Sequence, residues 1–98
     1  MKYVQVIEFT TGRIDEINEL MDQWLASTDG KRTAVHALQT SDRDRDRTYL
    51  SIVEFPSYEK AMENSNLPET TAFAESMAKL CDGSPVFRNL DVLREETL

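Results

Sequence analysis

The spacing of hydrophobic and polar positions divides the chain into seven segments. Residues 2–9 are rich in β-branched and aromatic types and read as a strand. Thr10-Thr11-Gly12 breaks it. From residue 13 to about 28 the period lengthens. Ile14, Ile17, Leu20, Met21, Trp24 and Leu25 fall on one helical face, with Asp15, Glu16, Glu19, Asp22 and Gln23 elsewhere on its surface. Asp29-Gly30 stops that helix. Residues 31–39 read as a second strand, diluted by two alanines. Residues 40–47, with alternating Asp and Arg from Asp42 to Arg47, read as a solvated hairpin connection. Residues 48–55 form a third strand. Ser57 then caps a short helix holding Tyr58, Ala61 and Met62. Pro68 suits the first turn of the next helix, whose core positions are Phe73, Met77 and Leu80. Asp82-Gly83-Ser84-Pro85 closes it, residues 86–94 form the last strand, and residues 95–98 fray. The order is β-α-β-β-α-α-β in a single domain over residues 1–98.

An internal echo supports two similar halves. Gln5-Val6-Ile7-Glu8-Phe9 closes the first strand and Ser51-Ile52-Val53-Glu54-Phe55 closes the third, each ahead of a helix and another strand. That is the pattern of a split βαβ, ferredoxin-like α+β fold with an antiparallel sheet. Side chains alternate faces along a strand. Even-numbered positions give Val4, Val6, Leu50, Ile52, Val86, Leu90 and Val92, joined by Val35 and Ala37 from the second strand. This aliphatic set suits the face under the helices. The odd positions give Tyr3, Gln5, Ile7, Phe9, Tyr49, Ser51, Val53, Phe55, Phe87, Asn89 and Asp91, joined by His36 and Leu38. That face is too apolar for water, so it is expected to pack against a second copy of the chain. In the strand order expected here, the first and third strands lie side by side and parallel. Glu8 and Glu54 then meet at one end, and the last strand, antiparallel beside the first, brings Arg88 to Glu8.

Charge narrows the partners. With 18 acidic and 11 basic side chains the formal charge is −7, which argues against nucleic acid and against an anionic membrane surface. No apolar run approaches membrane-spanning length. The first residues enter a strand at once, so no leader is expected, and the single Cys81 fits a reducing compartment. A cytoplasmic protein is the expectation.

The element order, the run Val6-Ile7-Glu8-Phe9-Thr10-Thr11-Gly12, the segment Glu54-Phe55-Pro56-Ser57-Tyr58-Glu59-Lys60-Ala61 followed by Asn64-Ser65, and the stretch from Cys81 to Asp91 together resemble the dimeric α/β-barrel superfamily, and within it the antibiotic-biosynthesis-monooxygenase-like domains. The resemblance implies a homodimer whose sheets form a barrel. It carries no invariant catalytic signature, and the superfamily holds cofactor-independent oxygenases, heme-degrading enzymes, isomerases and proteins with no known reaction. The heme-degrading members resemble one another in an Asn on the first strand, a Trp near the second helix and a His after it. Here Gln5 and Met62 stand at the first two places and residues 68–72 contain no His, while Trp24 and His36 lie on other elements. Heme degradation is therefore not expected, for want of an axial ligand.

In the barrel that this resemblance implies, the odd face lines the interior. His36, Tyr49 and Asp91 are the candidate catalytic residues, with His36 moving a proton near neutral pH and Asp91 orienting it across the interface. Tyr3, Gln5, Ser51 and Asn89 are the candidate substrate-binding residues, suited to a small aromatic ligand such as a phenol or quinone. Each has an ordinary structural alternative. A lone His on a strand is commonly a hydrogen-bonded structural residue, Asn89 and Asp91 can satisfy interface backbone groups, and tyrosines fill space. Cys81 has no basic neighbour to activate it. There is no Cys/His cluster, glycine-rich phosphate loop or serine elbow, so neither a metal nor a cofactor is expected. Two functions stay open. One is a cofactor-independent monooxygenase or isomerase acting on an aromatic or polyketide-like molecule. The other is a non-enzymatic small-molecule-binding or stress-related dimeric module.

Overall fold

The computed structural model describes residues 1–98. Its elements are β1 Tyr3–Thr10, α1 Ile14–Ser27, β2 His36–Ser41, β3 Thr48–Phe55, α2 Tyr58–Ser65, α3 Pro68–Leu80 and β4 Val86–Asp91. The order is the one the sequence predicts, with the largest boundary shifts at the start of β2 and the end of β4. β2 starts at His36, because Lys31 and Arg32 are held in a turn by their N–H groups donating to the Thr28 carbonyl (2.8 and 2.9 Å), with Gly30 at φ 77°. β4 stops at Asp91.

Local chemistry fixes the junctions. The Thr28 hydroxyl donates to the Trp24 carbonyl at 2.6 Å and closes α1. Ser57 accepts the Lys60 N–H at 3.2 Å and opens α2. Pro68 supplies the first turn of α3. Fully buried Thr11 joins three segments. Its N–H donates to the Arg47 carbonyl, its hydroxyl donates to the Leu80 carbonyl at 2.6 Å, and its Oγ1 accepts the Arg13 N–H at 2.9 Å.

The sheet runs β2-β3-β1-β4, with every neighbouring pair antiparallel. This corrects the parallel β1–β3 pair expected from the sequence. The α1 crossover returns β2 parallel to β1, and the β2–β3 hairpin then reverses the chain and inserts β3 between them. The two echoed segments pair with each other at the centre, Gln5 opposite Val53, Val6 opposite Ile52 and Ile7 opposite Ser51. Glu8 therefore faces Leu50 and Glu54 faces Val4, at opposite ends of the sheet, so Glu54 does not join Glu8. The Glu8–Arg88 pair does form, at 3.5 Å. Arg45 holds Glu8 more closely, its Nη1 and Nη2 donating to the two carboxylate oxygens at 3.3 and 3.2 Å while its Nε donates to Asp42 at 2.7 Å. The Asp/Arg loop is thus pinned to the sheet end, and Arg47 pairs with Asp82. Exposed pairs of this kind contribute about 0–1 kcal/mol each.

The faces are also reversed from the sequence reading. The helices cover the odd face. Tyr3 and Phe55 pack with Ala61 of α2 into one buried cluster, and Phe9 packs with Ile17 of α1 and Met77 of α3 into another. The even face carries no helix. Val4, Val6, Leu50 and Ile52 are half-buried there, and Leu38, Val86 and Leu90 are about half exposed (50%, 46% and 46%). The physical reason is the crossover: with the strand order set, a right-handed β1-α1-β2 connection decides which face α1 covers, and the aromatic odd positions lie on it. In β2 the register pairs His36 with Glu54 and Leu38 with Ile52, which places both on the even face. α1 and α3 are joined by Trp24, whose Nε1 donates to Thr70 Oγ1 at 3.0 Å and whose ring lies 6.4 Å from that of Phe73. No helix is long and apolar enough to cross a membrane.

Candidate functional site

Six of the seven residues singled out from the sequence lie on the helix side of the sheet, and the register shows how they are arranged. Tyr3 stands opposite Phe55 on one side and Asp91 on the other. Two residues along, Gln5 stands between Val53 and Asn89. In the next row Ser51 stands between Ile7 and Gln39. Tyr49 comes last, beside Phe9, with the rings stacked at 5.6 Å. The two apolar clusters occupy the ends of this face, α2 over Tyr3 and Phe55, α1 and α3 over Phe9 and Tyr49. Between them runs a strip across the sheet whose polar residues are Gln39, Ser51, Gln5 and Asn89.

The strip holds no charged side chain in its middle rows. Gln5 Nε2 donates to Asn89 Oδ1 at 3.2 Å, and Gln39 Nε2 donates to Asn18 Oδ1 of α1 at 2.8 Å. Gln5, Ser51 and Val53 are half-buried, and Asn89 and Asp91 are exposed on the edge strand β4. Phe87, beside Ile7, is 52% exposed, so the strip opens along the β4 edge. At its other margin Tyr3 is 3% exposed, its ring edge-on to Tyr58 at 5.6 Å. Burial above all, with Tyr58 and Asp91 nearby, pushes the Tyr3 phenol up from its ordinary value of 10.0.

The seventh candidate is not in this group. His36 is exposed at the even-face end of β2, its Nδ1 3.8 Å from Glu54 Oε2, and Glu54 also receives Lys2 at 3.7 Å. His36 and Asp91 stand on opposite faces and on opposite edge strands, so the chain does not bring them together. Gln39, on the helix side of β2, and Asn18 of α1 were not among the residues the sequence singled out. An Asn inside an apolar helical stripe was the available signal, because its side chain competes with the helix unless it bonds elsewhere.

Two shallow grooves of ≈ 290 and ≈ 370 Å³ lie between α1 and α3 and contain none of the seven residues. Cys81 is half-buried, and burial, with Asp82 beside it, raises its thiol. No group of three or more His, Cys, Asp or Glu side chains could hold a metal ion.

A scan against protein-family models finds no match, and no curated protein matches. Solved structures do. A cofactor-independent oxygenase, SnoaB from Streptomyces nogalater, is 16% identical with a TM-score of 0.79, covering 96% of this chain and 95% of its own. A protein from Mycobacterium tuberculosis is 14% identical with a TM-score of 0.79, covering 99% of this chain and 100% of its own. An antibiotic biosynthesis monooxygenase is 14% identical with a TM-score of 0.74, covering 96% of this chain and 100% of its own. The chain has the ferredoxin-like fold of the antibiotic-biosynthesis-monooxygenase-like proteins. At these identities the likeness reaches the backbone and not the site residues.

Proposed function

We propose that the helix-side strip binds a small aromatic or polyketide-like molecule, and that the protein is a cofactor-independent monooxygenase or isomerase acting on it. The observation that carries this reading is the uncharged floor of amides and a hydroxyl lying between two apolar clusters and open along β4. A flat ring laid across these rows would have its oxygen substituents oriented by the Gln5 and Asn89 amides. As an oxygenase the reaction needs dioxygen and the substrate's own electrons. A phenol with a free para position and O2 gives the para-quinone and water. One oxygen atom enters the ring, the other leaves as water, and the ring supplies the electrons. Asp91, at the strip's margin, is the carboxylate available to take the phenol's proton, with Ser51 bordering the ring; Tyr49, six residues along the sheet from the Tyr3 row and so about 20 Å from it, lies beyond the reach of the same ring. A homodimer through the even face is part of the proposal. It would cover the apolar row of Leu38, Ile52 and Val6, whose exposure in a single chain is otherwise costly.

The non-enzymatic reading rests on one observation. His36 is on the other face, so the strip itself contains no histidine to move a proton near neutral pH. A single titration separates the two. Adding 1-naphthol under air is expected to shift the Gln5 and Asn89 side-chain amide resonances and to yield a quinone absorbance. Binding without quinone favours the non-enzymatic module. Asn89→Ala is expected to weaken binding about fivefold, the worth of one neutral hydrogen bond. An unchanged amide spectrum at saturating naphthol would remove the ligand site altogether.

A further inference from the structure

The even face of the sheet carries charge at both ends, and the two ends differ in balance. At the Glu8 end two carboxylates, Glu8 and Asp42, meet two guanidinium groups, Arg45 and Arg88. At the other end two carboxylates, Glu54 and Glu95, share one ammonium group. Lys2 Nζ lies 3.7 Å from Glu54 and donates to Glu95 at 2.7 Å. The chain's single histidine joins this second group, with His36 Nδ1 3.8 Å from the Glu54 oxygen that also faces Lys2. With His36 neutral, one cation stands against two carboxylates and one negative charge is in excess. With His36 protonated the group is balanced.

Position makes that balance matter. His36, Glu54, Val4 and Leu90 form one row across the face, beside the row of Leu38, Ile52, Val6 and Arg88. The two rows are about 7 Å apart at the rise of a strand. A second copy that covers Ile52 and the half-exposed Leu90 therefore also closes over Glu54 and His36. Enclosing an unpaired charge is costly, whereas a balanced group is tolerated.

We infer that the even-face homodimer, which is taken here from the proposal above, is proton-linked: each protomer gains a proton at His36 when two copies meet, so the dimer tightens as pH falls through the neutral range. Histidine is the side chain that changes charge there. Burial alone favours a neutral imidazole; the excess carboxylate beside His36 reverses that preference. The charged side chains at His36 are Glu54 of β3, Lys2 just before β1 and Glu95 of the C-terminal tail. Arg88 stands three strands away on β4 and is engaged by Glu8. The linkage is lost as pH rises, because the neutral ring leaves the excess charge enclosed.

Sedimentation equilibrium at pH 7.5 and 5.5, at one ionic strength, tests this. Wild type is expected to dimerise about tenfold more tightly at pH 5.5, from one partly exposed ion pair gained in each protomer. His36→Gln is expected to dimerise equally at both pH values, and it leaves the Met1 amino group at this end in place as a control. Glu54→Gln removes the excess carboxylate, so protonating His36 then unbalances the group and its dimer is expected to weaken at pH 5.5. Equal wild-type affinity at both pH values, a tighter wild-type dimer at pH 7.5, a pH dependence that survives His36→Gln, or an unreversed one in Glu54→Gln overturns the proton linkage and leaves the dimer standing. Wild type that is monomeric at both pH values overturns both.

Discussion

Ile52 sits at the centre of the uncovered sheet face, on β3 between Val6 of β1 and Leu38 of β2. It is half-buried in the single chain. Completing the burial of a side chain of this size is worth about 1 kcal/mol, half of what full burial of an isoleucine gives. A two-fold dimer does so twice, for about 2 kcal/mol. Ile52→Asp forfeits that and places two carboxylates in an apolar interface with no cation in their row except Arg88, which already faces Glu8. Leaving such charges unpaired adds at least about 2 kcal/mol. The sum of about 4 kcal/mol corresponds to roughly a thousandfold weaker dimer. The monomer should fold normally, because the position is solvent-facing in it. Sedimentation equilibrium over a wide concentration range, with circular dichroism to confirm folding, measures both. A wild-type protein that stays monomeric throughout would refute the dimer. An Ile52→Asp dimer as tight as wild type would mean that the copies meet through some other surface.

Two further outcomes concern stability. Thr11→Val leaves the Leu80 carbonyl and the Arg13 N–H without their side-chain partner and should cost about 2–3 kcal/mol, a Tm loss of about 10–20 °C read by calorimetry; a loss of only a degree or two would show that this junction is not a tie. Glu8 is held below its ordinary 4.5, chiefly by the hydrogen bonds from Arg45, and Asp42 below 3.8, first by the Asp44 N–H and then by Arg45. Both carboxylates are depressed on folding, so the unfolded chain binds more protons. Their contribution is present above the ordinary values and is lost as pH falls below about 4.5 toward the folded values. Urea midpoints should therefore fall over that acid range, and Arg45→Ala should flatten the fall; a slope unaffected by Arg45→Ala would place the acid sensitivity elsewhere.

The seven elements were legible because each is announced by residues with a local job, such as Ser57 at the start of α2, Pro68 in the first turn of α3 and Gly30 after α1. The face assignment was not legible. Both faces of this sheet are apolar, and alternation tells faces apart only when one of them is polar. The deciding fact is three-dimensional: the handed β1-α1-β2 crossover selects the face that receives the helices, and Tyr3, Phe9 and Phe55 lie on it, whereas Val6 and Ile52 lie on the other. His36 was misplaced for a related reason, since a β2 start at His36 and its hairpin register with β3 set its side beyond what composition can indicate. The Gln5–Asn89 partnership joins residues from opposite ends of the chain. It follows from strand order, and the Glu8–Arg88 contact was foreseen by the same logic.

Strand β1 has one further consequence, for how the chain becomes folded at all. Both of its neighbours are distant in sequence, with paired residues separated by 38 positions at Thr10–Thr48 and by 88 at Tyr3–Asp91. Only the β2–β3 hairpin is local. Loop-closure entropy must be met before those central pairings give anything back, which makes the topology a slow one for its length. During synthesis β1 emerges first and has one edge without a partner until residues 86–91 appear. The strand carrying Tyr3 and Gln5 is thus the last to be enclosed, and the Gln5–Asn89 contact forms at the end of folding.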